Sequence, residues 1–280
     1  MLKLRIITAL VLLAVFLPAF FADSADLLAW LTLFLIAAGA WEWGRLMGLR
    51  MAPSLGLGLV CVAICLGSWK FFELPQHPTP NLWIGVGLLW VLVSAWMLRS
   101  GLAAWSSVST STKLVGGTLA LWLCWLAIFQ AKRVGINFML SIFVLVWIAD
   151  IAAYFAGRAF GRRKLAPSLS PSKSWEGAWG GMCAVWAIAI LWVWADGYAI
   201  FDSPSIYSLL FSQGWVYFFV SLTFLTAMSV VGDLVESMVK RTAGVKDSSQ
   251  LLSGHGGVLD RVDALLPTLP LAMMLSQAVV

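Results

Sequence analysis

Apolar residues run along this chain in blocks of about twenty, the length that spans a hydrocarbon core, and polar residues gather between the blocks. The blocks are apolar on every helical face, so they predict buried or lipid-embedded helices rather than amphipathic surface ones. Nine such spans are predicted, at 4–21, 26–45, 54–72, 81–98, 114–131, 136–157, 176–195, 215–239 and 263–280. Lys3 and Arg5 precede the first block as they would in a signal peptide. That block reaches Phe21 and further spans follow, so a retained first helix is expected. The second block carries Glu42 and the last is interrupted by Pro267 and Pro270, which makes them the least regular of the nine. The fold class that follows is all-α: a polytopic integral membrane protein with about nine transmembrane helices. Residues 1–135 hold spans one to five. Residues 136–280 hold spans six to nine and the polar loops 158–175 and 240–262.

Composition sharpens this picture. Hydrophobic residues make up 61% of the 280 and charged residues 11%, against roughly 25% charged in soluble domains. The mean hydropathy is +0.91. A transmembrane barrel is excluded, because its strands would alternate apolar and polar residues. With the N-terminus cytoplasmic, 15 of the 18 Lys and Arg fall on the inner side, and only Lys70, Lys132 and Arg133 fall outside. The positive-inside rule therefore predicts an N-in topology with both polar loops facing the cytoplasm. The pI near 9.2 reflects that basic face, so no nucleic-acid partner is expected. Cys61, Cys65, Cys124 and Cys183 all lie in apolar spans without metal-ligand spacing, as small buried hydrophobes do.

The candidate chemistry lies in polar residues that a lipid-facing helix would exclude. Glu42 and Arg45 are three residues apart, and an intrahelical ion pair accounts for them without function. Asp150, Tyr154, Gly157, Arg158 and Gly161 recur at intervals of three or four in the sixth span, forming one stripe. The basic loop that follows holds Ser172, Lys173 and Ser174 in a Ser-Pro-Ser-Lys-Ser turn, with Ser174 a predicted N-cap and Glu176 in the first helical turn. Hydroxyls, a helix N-terminus and an ammonium suit a phosphate. Asp233, Glu236, Ser237 and Lys240 share one face of the eighth span. Beyond them come Arg241, Lys246, Asp247, a Gly-rich turn at His255, then Asp260, Arg261 and Asp263. Carboxylates so spaced beside glycine turns suit a hard, oxygen-liganded cation such as Mg²⁺. The whole pattern suits metal-assisted chemistry on a phosphorylated substrate at the bilayer surface.

The run Ser237-Met-Val-Lys-Arg, then Lys246-Asp247, then His255-Gly-Gly-Val-Leu-Asp260-Arg261-Val-Asp263, resembles the signature of the phosphatidate cytidylyltransferases, or CDP-diacylglycerol synthases. Gly232-Asp-Leu-Val-Glu-Ser237, Asp150-Ile-Ala-Ala-Tyr154-Phe-Ala-Gly-Arg158 and Ser170-Pro-Ser-Lys173-Ser-Trp-Glu-Gly177 fit the same family. Ser253 departs from it, standing where the family more often has Pro or Gly. The resemblance implies CTP and phosphatidate as substrates, CDP-diacylglycerol and pyrophosphate as products, and a bacterial inner-membrane location. It also implies a homodimer and Mg²⁺ on Asp233 and Asp260, with Asp263 beside them, and leaves open a second, monovalent cation. Asp233, Asp260 and Lys173 become the expected catalytic residues. Ser172, Ser174, Lys240, Arg241, Lys246, Asp247, Arg261, Asp150, Tyr154 and Arg158 become the expected substrate contacts. A CTP-dependent lipid kinase would share the setting but transfer the γ-phosphoryl. A cation-coupled transporter is the other class, disfavoured by the missing inverted repeat and the clustering of polar residues at one face.

Overall fold

A computed structural model describes residues 14–198, 201–252, 254 and 256–277. Helix α1 covers 14–21, followed by α2 (Ala25–Leu46), α3 (Met51–Lys70), α4 (Pro80–Ser107), α5 (Thr110–Val134) and α6 (Ile136–Phe160). Strands β1 (Lys164–Ala166) and β2 (Ser170–Ser174) come next. They lead into α7 (Trp175–Asp196), α8 (Ile206–Ser212), α9 (Trp215–Thr242), α10 (Leu259–Val262) and α11 (Leu265–Gln277).

Seven helices, α2 to α7 and α9, are long and apolar enough to cross a membrane. They match the seven central blocks of the hydropathy pattern. The first predicted span lies partly outside the described residues. The last is represented by α11, Leu265–Gln277, with residues 278–280 outside the described residues, and it is not among the seven. Asp263 and Ala264, its predicted first residues, form the turn between α10 and α11. The departure from an all-helical chain is the antiparallel β1–β2 hairpin, with Lys164 opposite Ser174 and Ala166 opposite Ser170.

The helices form two compact units. One comprises Met1–Pro78, Ser100–Arg133 and Met238–Asp263, the other Thr79–Arg99, Val134–Ser237 and Ala264–Val280. The division crosses α4 beside Gly101, whose φ of 73° and ψ of −169° break the helix. It crosses α9 between Ser237 and Met238.

In the first unit, Phe129 packs edge to face against both Trp69 and Trp125, whose rings are tilted against each other, and Trp125 Nε1 donates to the Ala29 carbonyl at 3.1 Å. Helices α2 and α3 approach closely, since a Cβ on Gly58 would stand 3.0 Å from the Ala37 carbonyl oxygen.

In the second unit, α6 and α7 meet through small residues at four-residue spacing, Ala149, Ala153 and Gly157 against Gly177 and Gly181. Any Cβ at Gly181 would lie 2.6 Å from the Ala149 carbonyl oxygen. Such stripes let helix backbones close where lipid offers no hydrophobic drive. At the N-terminal end of α6, Asp202 accepts from the Ile136 and Asn137 amides at 2.5 and 3.0 Å. Asp196 accepts from Asn137 Nδ2, Ser205 Oγ and Ser208 Oγ nearby. Large apolar side chains such as Phe34, Leu59 and Val216 are more than two-thirds exposed on the chain itself, as lipid-facing residues must be.

Candidate active site

Helix α9 carries polar residues into both units, and each unit builds its own cluster around a lysine–aspartate pair. In the second unit, Lys173 Nζ lies 2.6 Å from Asp233 Oδ2, with the two side chains 21% and 29% exposed. Ser237, one turn along α9, donates its hydroxyl to Asp233 Oδ1 at 3.2 Å. Lys173 and Asp233 are also the charged neighbours of Asp150 on α6.

The hairpin explains why Lys173 points there. Ser174 caps α7, accepting from the Gly177 amide at 3.2 Å. Glu176 reaches back to accept from the Arg162 and Arg163 amides at 3.1 and 3.2 Å, and the Trp175 amide donates to the Arg163 carbonyl. The turn is thus tied to α7 by its own first-turn residues, a wider use of Glu176 than the predicted complement to the helix dipole. Gly157 and Gly161 belong to this junction. A Cβ on either would sit about 3 Å from Ser174 Oγ.

The predicted α6 stripe therefore splits. Gly157 and Gly161 pack against the hairpin, while Tyr154 and Arg158 are exposed and pair with each other, Arg158 Nη1 donating to the Tyr154 hydroxyl at 3.3 Å. Ser172 is exposed, its hydroxyl 3.5 Å from that of Ser170.

In the first unit, Lys240 Nζ lies 2.6 Å from Asp260 Oδ1, and these side chains are only 13% and 8% exposed. Asp260 Oδ2 also accepts from the Ser248 amide at 2.9 Å, the Ser248 hydroxyl at 3.0 Å and the Gly257 amide at 2.8 Å. This carboxylate presses on the chain it organises. Gly256 has φ of 81°, and a Cβ there would lie 2.6 Å from Asp260 Oδ2. The Gly-Gly pair is the local answer to that crowding. His255 and Ser253 lie outside the described residues. Arg241, Lys246, Asp247 and Arg261 are exposed around the same loop, with Arg241 Nη1 donating to the Val245 carbonyl at 3.4 Å. The Asp263 amide donates to the Leu259 carbonyl. A cleft of about 490 Å³ opens beside Ser248, lined also by Arg45, Trp105, Lys113 and Thr242.

The expected Glu42–Arg45 pair is not made. Arg45 Nη1 donates to the Leu49 carbonyl at 3.0 Å, at the end of its own helix. Glu42 is fully buried and accepts from the Ser248 and Ser249 hydroxyls and the Val258 and Leu259 amides. A salt bridge would have kept Glu42 at the surface; four donors let it stay inside. Glu42, Ser248 and Ser249 are the site residues missed by sequence reasoning. The one available signal was a carboxylate set between Trp41 and Trp43 in an apolar run.

Among the described residues no three His, Cys, Asp or Glu side chains converge as a metal cage. The donor chemistry nevertheless fits a hard cation. Asp233 and Ser237 offer carboxylate and hydroxyl oxygens, and the ammonium of Lys173 already stands at cation distance from Asp233.

The family model described as "Cytidylyltransferase family" matches residues 3–279. A phosphatidate cytidylyltransferase of Pseudomonas aeruginosa is 37% identical over 279 residues, covering 96% of this chain and 95% of that protein. The Haemophilus influenzae protein of the same name is 35% identical, with 96% of each chain covered. The Staphylococcus epidermidis one is 30% identical, with 98% of each covered. With both clusters inside the matched span and the match running nearly end to end, the chain belongs to the cytidylyltransferase family.

Proposed function

We propose that this protein transfers the CMP moiety of CTP to phosphatidate, giving CDP-diacylglycerol and pyrophosphate in phospholipid biosynthesis. Full-length kinship supports the reaction, and the half-buried Lys173–Asp233 pair carries the geometric part of the reading. A pair this short and partly open presents an ammonium to a phosphate and a carboxylate to a cation once the two part.

A phosphate oxygen of phosphatidate forms the new bond to the α-phosphorus of CTP, and the bond from that phosphorus to the bridging oxygen breaks as pyrophosphate leaves. A phosphate monoester is largely ionised at neutral pH, so no side-chain nucleophile is needed. The problem is to bring two anions together. Lys173 holds a phosphate oxygen with a charge-assisted bond, while Ser172 and the capped turn at Ser174 add neutral donors beside it. Arg241, Lys246 and Arg261 line the exposed loop as further anion contacts, with Lys240 and Asp247 beside them. Tyr154 and Arg158 extend the polar surface along α6, next to Asp150. Asp233 in one cluster, and Asp260 with Asp263 in the other, are the carboxylates that would hold Mg²⁺, which when bound would supply neutralisation of phosphate charge.

The basic loops face the cytoplasm of a bacterial inner membrane in this reading, with the N-terminus inside. Cysteines introduced at the exposed Ser172 and Ser212, in a background without the native four, should then label from opposite sides; labelling from one side refutes the topology. The reaction is tested with purified protein, CTP labelled in the base, phosphatidate and Mg²⁺. Labelled lipid and pyrophosphate are expected in equal amounts. Labelled CDP without pyrophosphate would instead indicate a CTP-dependent kinase.

A further inference from the structure

Glu42 is fully buried, yet no described lysine or arginine pairs with it. Its four donors come from two stretches of chain more than 200 residues away. Oε1 accepts from the Ser249 hydroxyl at 2.6 Å and the Val258 amide at 2.9 Å. Oε2 accepts from the Leu259 amide at 2.8 Å and the Ser248 hydroxyl at 3.2 Å. One carboxylate on α2 therefore closes both ends of the loop that carries the Gly-Gly turn. Gly257 records how tightly: a Cβ there would collide with the Ser248 hydroxyl and stand 2.5 Å from Glu42 Oε1.

The same Ser248 hydroxyl is 3.0 Å from Asp260 Oδ2. A serine has a single hydroxyl proton to donate, so Ser248 is shared between Glu42 and Asp260. Moving Glu42 moves Ser248, and with it one of the groups that fix Asp260. A buried carboxylate is a costly way to gain stability alone, and a well-packed apolar side chain would do as well or better. Its distinctive use is to fix the orientation of amides and hydroxyls.

We propose that Glu42 is a positioning residue for the reaction: from α2 it anchors residues 248–249 and 258–259, and so sets the geometry of Asp260 and the loop around it. This rests on the functional reading above, and its test is built to fail separately. The variant is Glu42→Gln, which keeps the size but turns one oxygen into a donor facing donors. Activity with CTP and phosphatidate should fall about 10-fold or more, in kcat rather than in KM for CTP. Hydrogen exchange should speed up at 248–249 and 257–259, with the α6 and α7 amides unchanged. Glu42→Asp, one methylene short, should recover only part of both. Asp26→Asn, in the first turn of the same helix, should change neither.

Wild-type kcat and wild-type loop protection in Glu42→Gln would overturn the proposal. So would a loss of activity that tracks uniform loosening of the whole protein. Should Glu42→Gln fail to insert, Ser249→Ala decides. It removes the 2.6 Å bond without touching α2, and unaltered kcat and exchange there would equally end the idea. If wild-type protein makes no CDP-diacylglycerol, the functional reading fails, while the exchange data still report whether Glu42 holds the loop.

Discussion

Lys173 meets Asp233 and Lys240 meets Asp260 at the same 2.6 Å, but the two pairs live in different surroundings. Asp233 has one further hydrogen bond, from Ser237, and its pair keeps a quarter or so of its surface open. Asp260 has three further donors and is nearly closed off, with Glu42 bracing the same loop from behind. A sparse, open ion pair costs little to separate, and its partners can be exchanged for a metal and a phosphate. A dense buried one cannot lose a member without leaving charge unpaired in a low dielectric. The first cluster is built to trade partners, the second to hold a shape.

Asp260→Asn tests the second half of that contrast and has the largest expected effect. It takes from the buried Lys240 ammonium the carboxylate it meets at 2.6 Å, a change worth about 3–5 kcal/mol. Turnover should vanish and the thermal midpoint in detergent should drop together. An unchanged midpoint would show that the Asp260 pair is as replaceable as the other.

Asp233→Asn should separate the two readouts. Activity is expected to fall by about 100-fold or more, the scale of losing one preorganised electrostatic contact. The midpoint should stay within about 0.5 kcal/mol of wild type, as for changes away from buried networks. Near-normal turnover at limiting Mg²⁺ would remove Asp233 as a metal ligand.

Lys173→Ala comes third. Losing one charge-assisted hydrogen bond of about 1.5–3 kcal/mol lowers kcat/KM roughly 10- to 150-fold. Lys173→Arg should restore only part of it, since a planar fork does not replace a compact ammonium. Arg162→Ala, whose residue lends its backbone amide to Glu176, serves as the control. Equal, small effects from both would mean that Lys173 serves only to keep its loop basic.

The two clusters were unequally legible before the structure. Lys173, Ser174 and Glu176 sit within four residues, so capping rules alone find the turn and its N-cap. Asp233 and Ser237 declare themselves by helical spacing in an apolar span. The seven central helices were legible for the same reason, as uninterrupted apolar runs have no other stable form in lipid. Glu42 was not legible, because its partners are 206 to 217 residues away and pairing with Arg45 is the local solution. The β1–β2 hairpin was hidden too, as three serines and a proline in five residues read as a turn until β1 supplies the pairing. The last span was legible only in part: its described residues form the helix Leu265–Gln277, and hydropathy does not place the turn at Asp263 and Ala264 that separates it from α10.

Asp202 carries the smallest expected effect, and it bounds the comparison from outside the chemistry. It lies at the N-terminal end of α6, a helix of about 37 Å at 1.5 Å per residue, whereas Gly157 at the other end packs on the Lys173 hairpin. Burial opposes the charge on Asp202, but the amides of Asn137 and Ile136 and the Ser203 hydroxyl outweigh it and hold its carboxyl below the usual range. With the folded pKa depressed, the stabilisation is fully present above the ordinary aspartate value of about 3.9. It is lost as pH falls through the lower folded value. Asp202→Asn should therefore cost about 0.5–2 kcal/mol at neutral pH, the range for a helix cap, and toward its low end because the side chain is exposed. The gap between wild type and variant should stay constant from pH 7 to 5 and shrink below about pH 4, while kcat at neutral pH stays at the wild-type value. A gap that instead widens on acidification would mean that Asp202 is held protonated, and its capping of α6 would have to be abandoned.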